Sequence, residues 1–411
     1  MALALDGYTG KHVKVFIDGV PQEGVGEAFG LNNIPVGYAE RIEVYKGVVP
    51  VGLGSDALGG AINIVRGRKP EGWRTDLAYT YGSFNTHKTR LGLDWTAPTG
   101  WFVGLNFFQN YSDNDYRVDT PVEHFNADGT TVLDTSVKER VRRFNDTYHN
   151  ETVEVEAGLV NRSWADRLLI GGGYAHMYKE IQTGVVQKVV FGRKHRHGHT
   201  FMLRPEYAKR DFVTSGLDLT LKAGYNHNVT QNVDTSSVRY NWLGEGKYQN
   251  GTLGEQSYQD NRLTSDNWNA VLTLKYRLGR AHSLVFNHVF NTLRRSVTPT
   301  AGTATSQADA FDKLTRKNVG GLSYAFMPAE KCSFSVSENT TTNTMKDRCR
   351  PRPAGQPTTC SSPTPPMRWA MAWPPLMPFG PTCRPNARLS VPIACPQTTN
   401  CLATKTLNWA A

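Results

Sequence analysis

Cysteine is missing from the first 331 residues of this 411-residue chain; all six fall at Cys332 or later. That rules out a disulfide framework over most of the length, and the late cysteines lack the paired CxxC spacing of a zinc site. No run of about 18 apolar residues occurs, so no transmembrane helix is expected. A barrel that crosses a membrane with alternating strands would show equally low hydropathy, and it stays open as a reading. There is no Gly-x-Ser-x-Gly elbow and no P-loop. No enzymatic activity is expected from this pattern, and nothing in it asks for a cofactor. Residues 1–5 are too short and lack the basic start of a signal peptide.

Charge is present but not concentrated. The formal net charge is +10. From Glu338 onward there are eight Lys/Arg against two Asp/Glu, so +6 of it belongs to the last stretch. The remaining charges are mixed and form no basic stripe, which argues against a nucleic-acid partner.

What the chain does have is alternation. Leu217, Leu219, Leu221, Ala223 and Tyr225 alternate with Asp218, Thr220, Lys222, Gly224 and Asn226. Trp268, Ala270, Leu272, Leu274 and Tyr276 alternate with Asn267, Asn269, Val271, Thr273 and Lys275. Similar runs cover residues 75–81 and 88–95. Successive side chains of a strand point to opposite faces, so each run has one apolar face. The runs are about the nine to eleven tilted residues that span a bilayer. The links between them alternate in length. Short ones at 97–100, 161–166, 210–216, 278–281 and 327–331 separate long ones at 112–146, 179–198, 228–266 and 295–313; only the first hairpin, 82–86, has a short link on the long-loop side. One-sided loop lengths are the mark of a membrane barrel, whereas a soluble sandwich predicts alternation alone. Trp73, Trp95, Trp101 and Trp164 lie near strand ends, where interfacial aromatics belong. Ten strands are recognisable, and Ser333–Val336 begins an eleventh.

Ahead of this region runs Arg41–Val65, RIEVYKGVVPVGLGSDALGGAINIV. Ile42, Val44 and Tyr45 favour a strand, Gly47, Gly59 and Gly60 read as turn residues, and an apolar strand with Asn63 inside it resumes at Ala61. Upstream, Val13–Asp18 closes on an Asp18-Gly19 turn. The order Val15–Pro21, Arg41–Gly47, Gly59–Ile64 resembles the second half of the plug domain of TonB-dependent outer-membrane receptors, in which a VLIDGVP-like strand precedes RIEV-x-(K/R)-G and GGxINI.

The resemblance implies an all-β fold, a partial transmembrane antiparallel β-barrel with a remnant of an N-terminal plug. The expected organisation is plug over 1–70, barrel over 71–336 and a disordered tail over 337–411. It implies a receptor and transporter in the cell outer membrane, in contact with outer-membrane lipid, for a scarce nutrient such as an iron-siderophore complex. A TonB-type energy-coupling protein is its partner, through an N-terminal box that this chain lacks. The chain reads as a fragment with about half the family's twenty-two strands and is expected to be inactive as written. The alternative is a non-transporting barrel or adhesin, which the plug motifs disfavour. The residues placed in the plug motif, with a structural or gating role, are Asp18, Gly19, Arg41, Glu43, Lys46, Gly47, Gly59, Gly60 and Asn63. Arg41, Glu43 and Lys46 are interspersed with apolar neighbours, so one strand face reads as charged, and the resemblance implies that these charges pair with the inner barrel wall.

After Val336 the pattern stops. Residues 337–411 hold thirteen of the 22 prolines and five of the six cysteines, and proline excludes a central strand. One permitted codon choice for Ala394–Ala411, read two bases later, gives LPTNDELFGDEDLELGG, which is family-like; Ser337–Arg348 can be shifted to GKYYNQYNEGP. A frameshifted translation is therefore expected from about Val336. His195, His197 and His199 alternate in HRHGH and are weak candidates for a metal, against the plainer reading of a solvated basic loop edge. Asp113 and Asp115 are too few for a calcium loop. Tyr111, Tyr116, Tyr240 and Trp242 either meet a ligand or pack their loops.

Overall fold

The computed structural model describes residues 4–5, 7–47, 49–54, 57, 59–67, 71–251, 253–279, 281–299, 312–329, 332–348, 388–392 and 404–410. A small mixed sheet comes first. Its strands are β1 (Val13–Ile17), β2 (Val20–Pro21), β3 (Arg41–Lys46) and β4 (Gly60–Val65), in the order β2-β1-β4-β3. β1 and β4 run parallel, from Val13 opposite Gly60 to Ile17 opposite Ile64. Asp18 and Gly19 make the β1–β2 turn with φ of 50° and 80°, the positive values that a two-residue hairpin requires.

Eleven long strands follow: β5 (Gly72–Gly82), β6 (Thr86–Thr96), β7 (Trp101–Ser112), β8 (Tyr148–Val160), β9 (Arg167–Glu180), β10 (His195–Lys209), β11 (Leu217–Asp234), β12 (Gln259–Leu278), β13 (His282–Pro299), β14 (Asp312–Ala329) and β15 (Cys332–Arg348). Each pairs antiparallel with its chain neighbours. Among the described strands β5 has one partner only, so the sheet is an open, partial barrel.

The alternation places the faces. β11 and β12 set their apolar runs directly opposite one another, Leu217 to Tyr276, Leu219 to Leu274, Leu221 to Leu272 and Tyr225 to Trp268. These side chains point away from the small sheet, and Tyr225 and Trp268 lie 4.5 Å apart, ring to ring. One register row carries the outward surface across seven strands, from Leu93 through Leu105, Val155, Gly172, Leu203 and Tyr225 to Trp268. Val155, Ile170 and Trp268 are all at least half exposed. A continuous apolar surface of this extent marks a membrane or partner surface. Trp73, Trp95 and Trp101 stand at its short-turn edge, with Trp164 in the 161–166 turn.

The inward face packs on the small sheet and the 22–38 segment that follows β2. Ile17, Phe29, Tyr38 and Ile64 share a core with Phe108, Ala175, Met177 and Met202 of the wall. Phe108 meets the Phe29 and Tyr38 rings at 6.2 and 6.1 Å. Tertiary packing of this kind fixes three successive 3-10 turns, Glu27–Phe29, Leu31–Asn33 and Val36–Tyr38, in a segment with no strand or helix period.

The boundary expected at 336 is corrected. β15 continues through Ser337 to Arg348, paired with β14 up to Asp312 opposite Arg348. The reason is compositional: proline does not recur until Pro351, and Thr340, Thr341, Thr342 and Thr344 are β-branched and suit a strand. Two further strands, β16 (Arg388–Pro392) and β17 (Thr404–Ala410), pair with each other, and β17 pairs with Ser333–Glu338 of β15. The rest of 349–411, where disorder is expected, lies outside the described residues.

Candidate functional site at the plug–wall seam

Asp18 occupies the turn after β1, and its position there decides what the small sheet touches. Its carboxylate accepts the Arg66 backbone N–H at 2.8 Å and the Arg66 Nε–H at 2.5 Å. Its carbonyl accepts from Lys222 Nζ of the wall at 2.6 Å. Burial alone would raise the Asp18 carboxyl, but Arg66 and Lys222, with the Arg66 hydrogen bonds, outweigh it and hold it down at about 2. Arg66 reaches on to Glu156 of β8 at 3.6 Å. Beside it, the Tyr38 phenol donates to Glu154 at 2.7 Å, and Arg204 donates to the other Glu154 oxygen at 2.6 Å. Burial, with that carboxylate alongside, pushes the Tyr38 phenol up, so it stays a donor. Lys222 also lies 3.7 Å from Glu206. Carboxylates and cations thus alternate across the seam, and each is partnered, as buried charge requires.

Nearer the long-loop end the seam changes character. The wall presents asparagines, and they bind the backbone of the 22–38 segment. Asn228 accepts from Gly26 N–H at 2.8 Å and donates to Gly24 carbonyl at 2.6 Å. Asn150 donates to Ala28 carbonyl at 2.7 Å and Asn110 to Asn33 carbonyl at 3.1 Å. Tyr148 donates to the Asn33 side chain at 2.6 Å. Farther round, Asn287 donates to Gly52 carbonyl at 3.1 Å. Arg196 with Glu27 (2.6 Å) and Lys317 with Glu23 (3.0 Å) add ion pairs. An amide offers both a donor and an acceptor without charge, so it can satisfy irregular backbone that has no sheet partner. Replacing Asn228 with alanine is expected to weaken plug docking by about 1–3 kcal/mol, because it strands the Gly24 carbonyl and the Gly26 N–H. Hydrogen exchange at Gly26, faster in the variant and unchanged in β11, is the check.

The expected motif residues divide. Asp18, Gly19, Asn63, Glu43 and Arg41 form one chain of contacts: Asn63 accepts from Gly19 N–H at 3.0 Å and donates to Glu43 at 2.8 Å, and Glu43 accepts from Arg41 at 2.8 Å and Tyr45 at 3.0 Å. These bonds, the Asn63 amide first, draw the Glu43 carboxyl below its usual range. The implied pairing of Arg41 and Glu43 with the wall is corrected: they hold each other, on a strand whose Ile42 and Val44 are half exposed. The shared strand face was legible, but the direction in which it looks depends on how the sheet sits. Lys46 is exposed, and Gly47 (φ 68°) is a turn glycine with open space around it. Gly59 lies against Tyr8, where a Cβ would come within 2.3 Å of the tyrosine Cβ. Gly60 has φ 123°, and a Cβ there would sit 2.1 Å from the Tyr45 carbonyl. Gly60→Ala is expected to destabilise the β3–β4 pair by about 1–3 kcal/mol or more, measured as a lowered urea midpoint of the refolded chain.

His195, His197 and His199 lie far from this seam, on the outward face of β10. Among the described residues no group of three His, Cys, Asp or Glu has metal-holding geometry. Asp113 accepts from Tyr111 and Asp115 pairs with Arg142. Trp242 is buried with Val122, Val141 and Val190, joining three long loops; its N–H donates to Gln187 carbonyl at 3.1 Å. The seam residues outside the expected set include Arg66, Glu154 and Glu156, Arg204 and Lys222, and the asparagines Asn110, Asn150 and Asn228. Their signal was present in the sequence: asparagine recurs at strand period in 226/228 and 267/269, on the face opposite the leucines.

Residues 2–61 match the family model described as the TonB-dependent Receptor Plug Domain. The whole architecture is similar to solved receptors. The copper transporter OprC superposes with a TM-score of 0.62 at 13% identity, over 83% of this chain and 49% of that one. The FrpB iron transporter of Neisseria meningitidis (F3-3 variant) gives 0.59 at 12%, over 84% and 52%. The siderophore receptor PiuA of Acinetobacter baumannii gives 0.56 at 11%, over 85% and 53%. The chain spans about half the length of these structures.

Proposed function

We propose that this chain, whose residues 2–61 match a plug-domain family and whose wall folds like that of solved receptors, is part of a TonB-dependent outer-membrane importer of a scarce nutrient, with a ferric siderophore as the ligand class. The observation that carries the reading is the seam itself. A plug packed by partnered charges and neutral amides inside a wall with an apolar outer surface is a closed gate in a membrane. The similarity to a copper transporter, an iron transporter and a siderophore receptor supports a metal-complex cargo. A plain porin or adhesin has no use for a plug of this kind. The Asp18–Arg66–Glu156 chain and the wall asparagines would be the contacts that part when an energy-coupling protein pulls.

Transport needs a closed wall, because an unpaired strand edge in lipid leaves donors and acceptors unsatisfied at several kcal/mol each. Expressed in a strain lacking its ferric-siderophore receptors, the 411-residue chain is therefore expected to give no uptake of labelled ferric siderophore. The same chain completed with the rest of a barrel wall should give uptake that stops when the coupling protein is deleted. Uptake by the 411 residues alone would refute the open-edge argument. A completed receptor that binds no ferric chelate would refute the ligand class.

A further inference from the structure

Asn250–Gly251 is the one Asn-Gly pair in the chain. It lies in a turn just after the loop hairpin in which Val238–Tyr240 pairs with Gly246–Tyr248. Both residues are exposed. Gly251 has φ 76°, and nothing beyond its chain neighbours comes within 4 Å of where a Cβ would stand. Neither the Asn250 amide nor the Gly251 N–H is hydrogen-bonded to a described residue. Such a pair can react with itself. The Gly251 backbone nitrogen gives up its proton and attacks Asn250 Cγ. A C–N bond closes a five-membered imide, the Cγ–Nδ2 bond breaks, and Nδ2 leaves with that proton as ammonia. Water then opens the imide at either carbonyl. The product is aspartate, or isoaspartate with the backbone running through its side-chain carbons, and the Gly251 amide N–H is restored. The step needs a nitrogen that is held by no acceptor and oriented toward the amide carbon, and glycine puts no Cβ in the way.

Two Asp-Gly pairs could close the same ring, and the fold withholds both. In Asp18–Gly19 the Gly19 N–H donates to Asn63 at 3.0 Å, and Arg66 holds the carboxylate at 2.5 Å. In Asp128–Gly129 the Gly129 N–H donates to the Asn126 carbonyl at 3.0 Å. Asp128 itself accepts the Thr130 N–H and hydroxyl at 2.8 and 2.6 Å, a local side-chain turn. In each pair the attacking nitrogen and the group under attack are both engaged. The seam asparagines Asn150 and Asn228 are engaged as well, through their amides. Asn250 alone combines an unengaged amide with a glycine after it. Its position also gives the reaction a consequence. The Gln249 N–H donates to the Ser237 carbonyl at 2.8 Å, and the Glu255 N–H to Asp234 at 2.5 Å. The stretch between them bridges two pinned residues, and isoaspartate would lengthen that bridge by one backbone carbon.

We propose that Asn250 is a site of spontaneous covalent modification: in the folded chain it converts to aspartate and isoaspartate ahead of every other described asparagine. The folded full chain is kept in warm neutral buffer, sampled over time and mapped by peptide mass spectrometry, with an isoaspartyl methyltransferase reporting isoaspartate. The peptide holding Asn250 should gain about one mass unit, ammonia out and water in, and should become a methyl acceptor. Asp18 and Asp128 should yield isoaspartate only after the chain is unfolded in urea, which frees the Gly19 and Gly129 N–H groups. Asn250→Gln should abolish both signals at this position while keeping the β-sheet circular dichroism, because the six-membered ring it needs closes far more slowly. An Asn250 that stays intact in the folded chain overturns the proposal, whether or not it converts in urea. A seam asparagine that converts first overturns it too. Isoaspartate at Asp18 or Asp128 in the folded chain, formed as fast as at Asn250, overturns the claim that the fold selects the site.

Discussion

Arg66→Ala is expected to cost about 3–5 kcal/mol of plug docking, because it leaves Asp18 and Glu156 buried without their shared cation. The side chains are largely enclosed, with Arg66 20% and Asp18 16% exposed. Lys222 helps to lower the Asp18 carboxyl through space, but its hydrogen bond goes to the Asp18 carbonyl and its ion pair to Glu206, so it does not replace the Arg66 contact to the carboxylate. The expected observation is protease access to 22–38 at denaturant concentrations where β5–β15 still resists. A pH arm follows from the same pair. The Asp18 carboxyl stands at about 2 in the folded chain against an ordinary 3.8. A depressed folded value means the stabilisation is complete above the ordinary value and fades as pH falls through the folded one. It amounts to about 2.5 kcal/mol, lost between about pH 4 and pH 2. Asp18→Asn should flatten the stability profile in that window. If the profile is unchanged, Asp18 is not an anchor of the seam.

Trp242→Ala is expected to cost about 3–5 kcal/mol of loop-cap stability, with little effect on the sheet. The indole is 2% exposed among Val122, Val141 and Val190. Other ties cross the same loops: Arg239 pairs with Glu123, Asn241 donates to the Glu123 carbonyl at 2.9 Å, and Glu255 accepts the Gly192 and Arg193 N–H groups at 2.5 and 2.7 Å. Burial lifts the Glu255 carboxyl above its usual range despite those two donors. Limited proteolysis should therefore cut within 113–147 and 235–258 of the variant, where the parent chain resists. If Trp242→Ala is as resistant as the parent, the polar ties alone hold the cap. If the whole sheet melts with the loops, the cap is not a separate unit.

Strands and loop lengths were legible because they rest on period-2 patterning, which needs no partner to be read. The β11 and β12 runs came out in direct register, and long links fell on one side. The Asp18-Gly19 turn was equally legible, from local chemistry. Direction was not. Arg41 and Glu43, two residues apart, share a face in any strand, but only the docked sheet shows that β3 turns away from the wall. Trp242 could pack or bind on the sequence alone, and burial decides for packing. The asparagines went unweighed because a polar residue opposite a leucine reads as solvated. In a barrel that opposite face holds a plug, and the amides find backbone there instead of water. Ser337–Arg348 was misread because a proline count over 75 residues was applied to twelve that contain none.

The plug is also tied to the wall by the chain itself. β4 ends at Val65 and β5 begins at Gly72, and six residues extend to at most about 20 Å. A displaced plug therefore returns from an effective concentration set by a short leash, in the millimolar range or above. Rebinding is unimolecular, and its entropic cost is already met by the covalent connection. Contacts too weak to hold two separate molecules together are enough here. That is why the seam can rely, beside its ion pairs, on single amide bonds to backbone. A plug supplied as a separate peptide would need far stronger contacts to sit in the same place, and would be correspondingly slow to leave it.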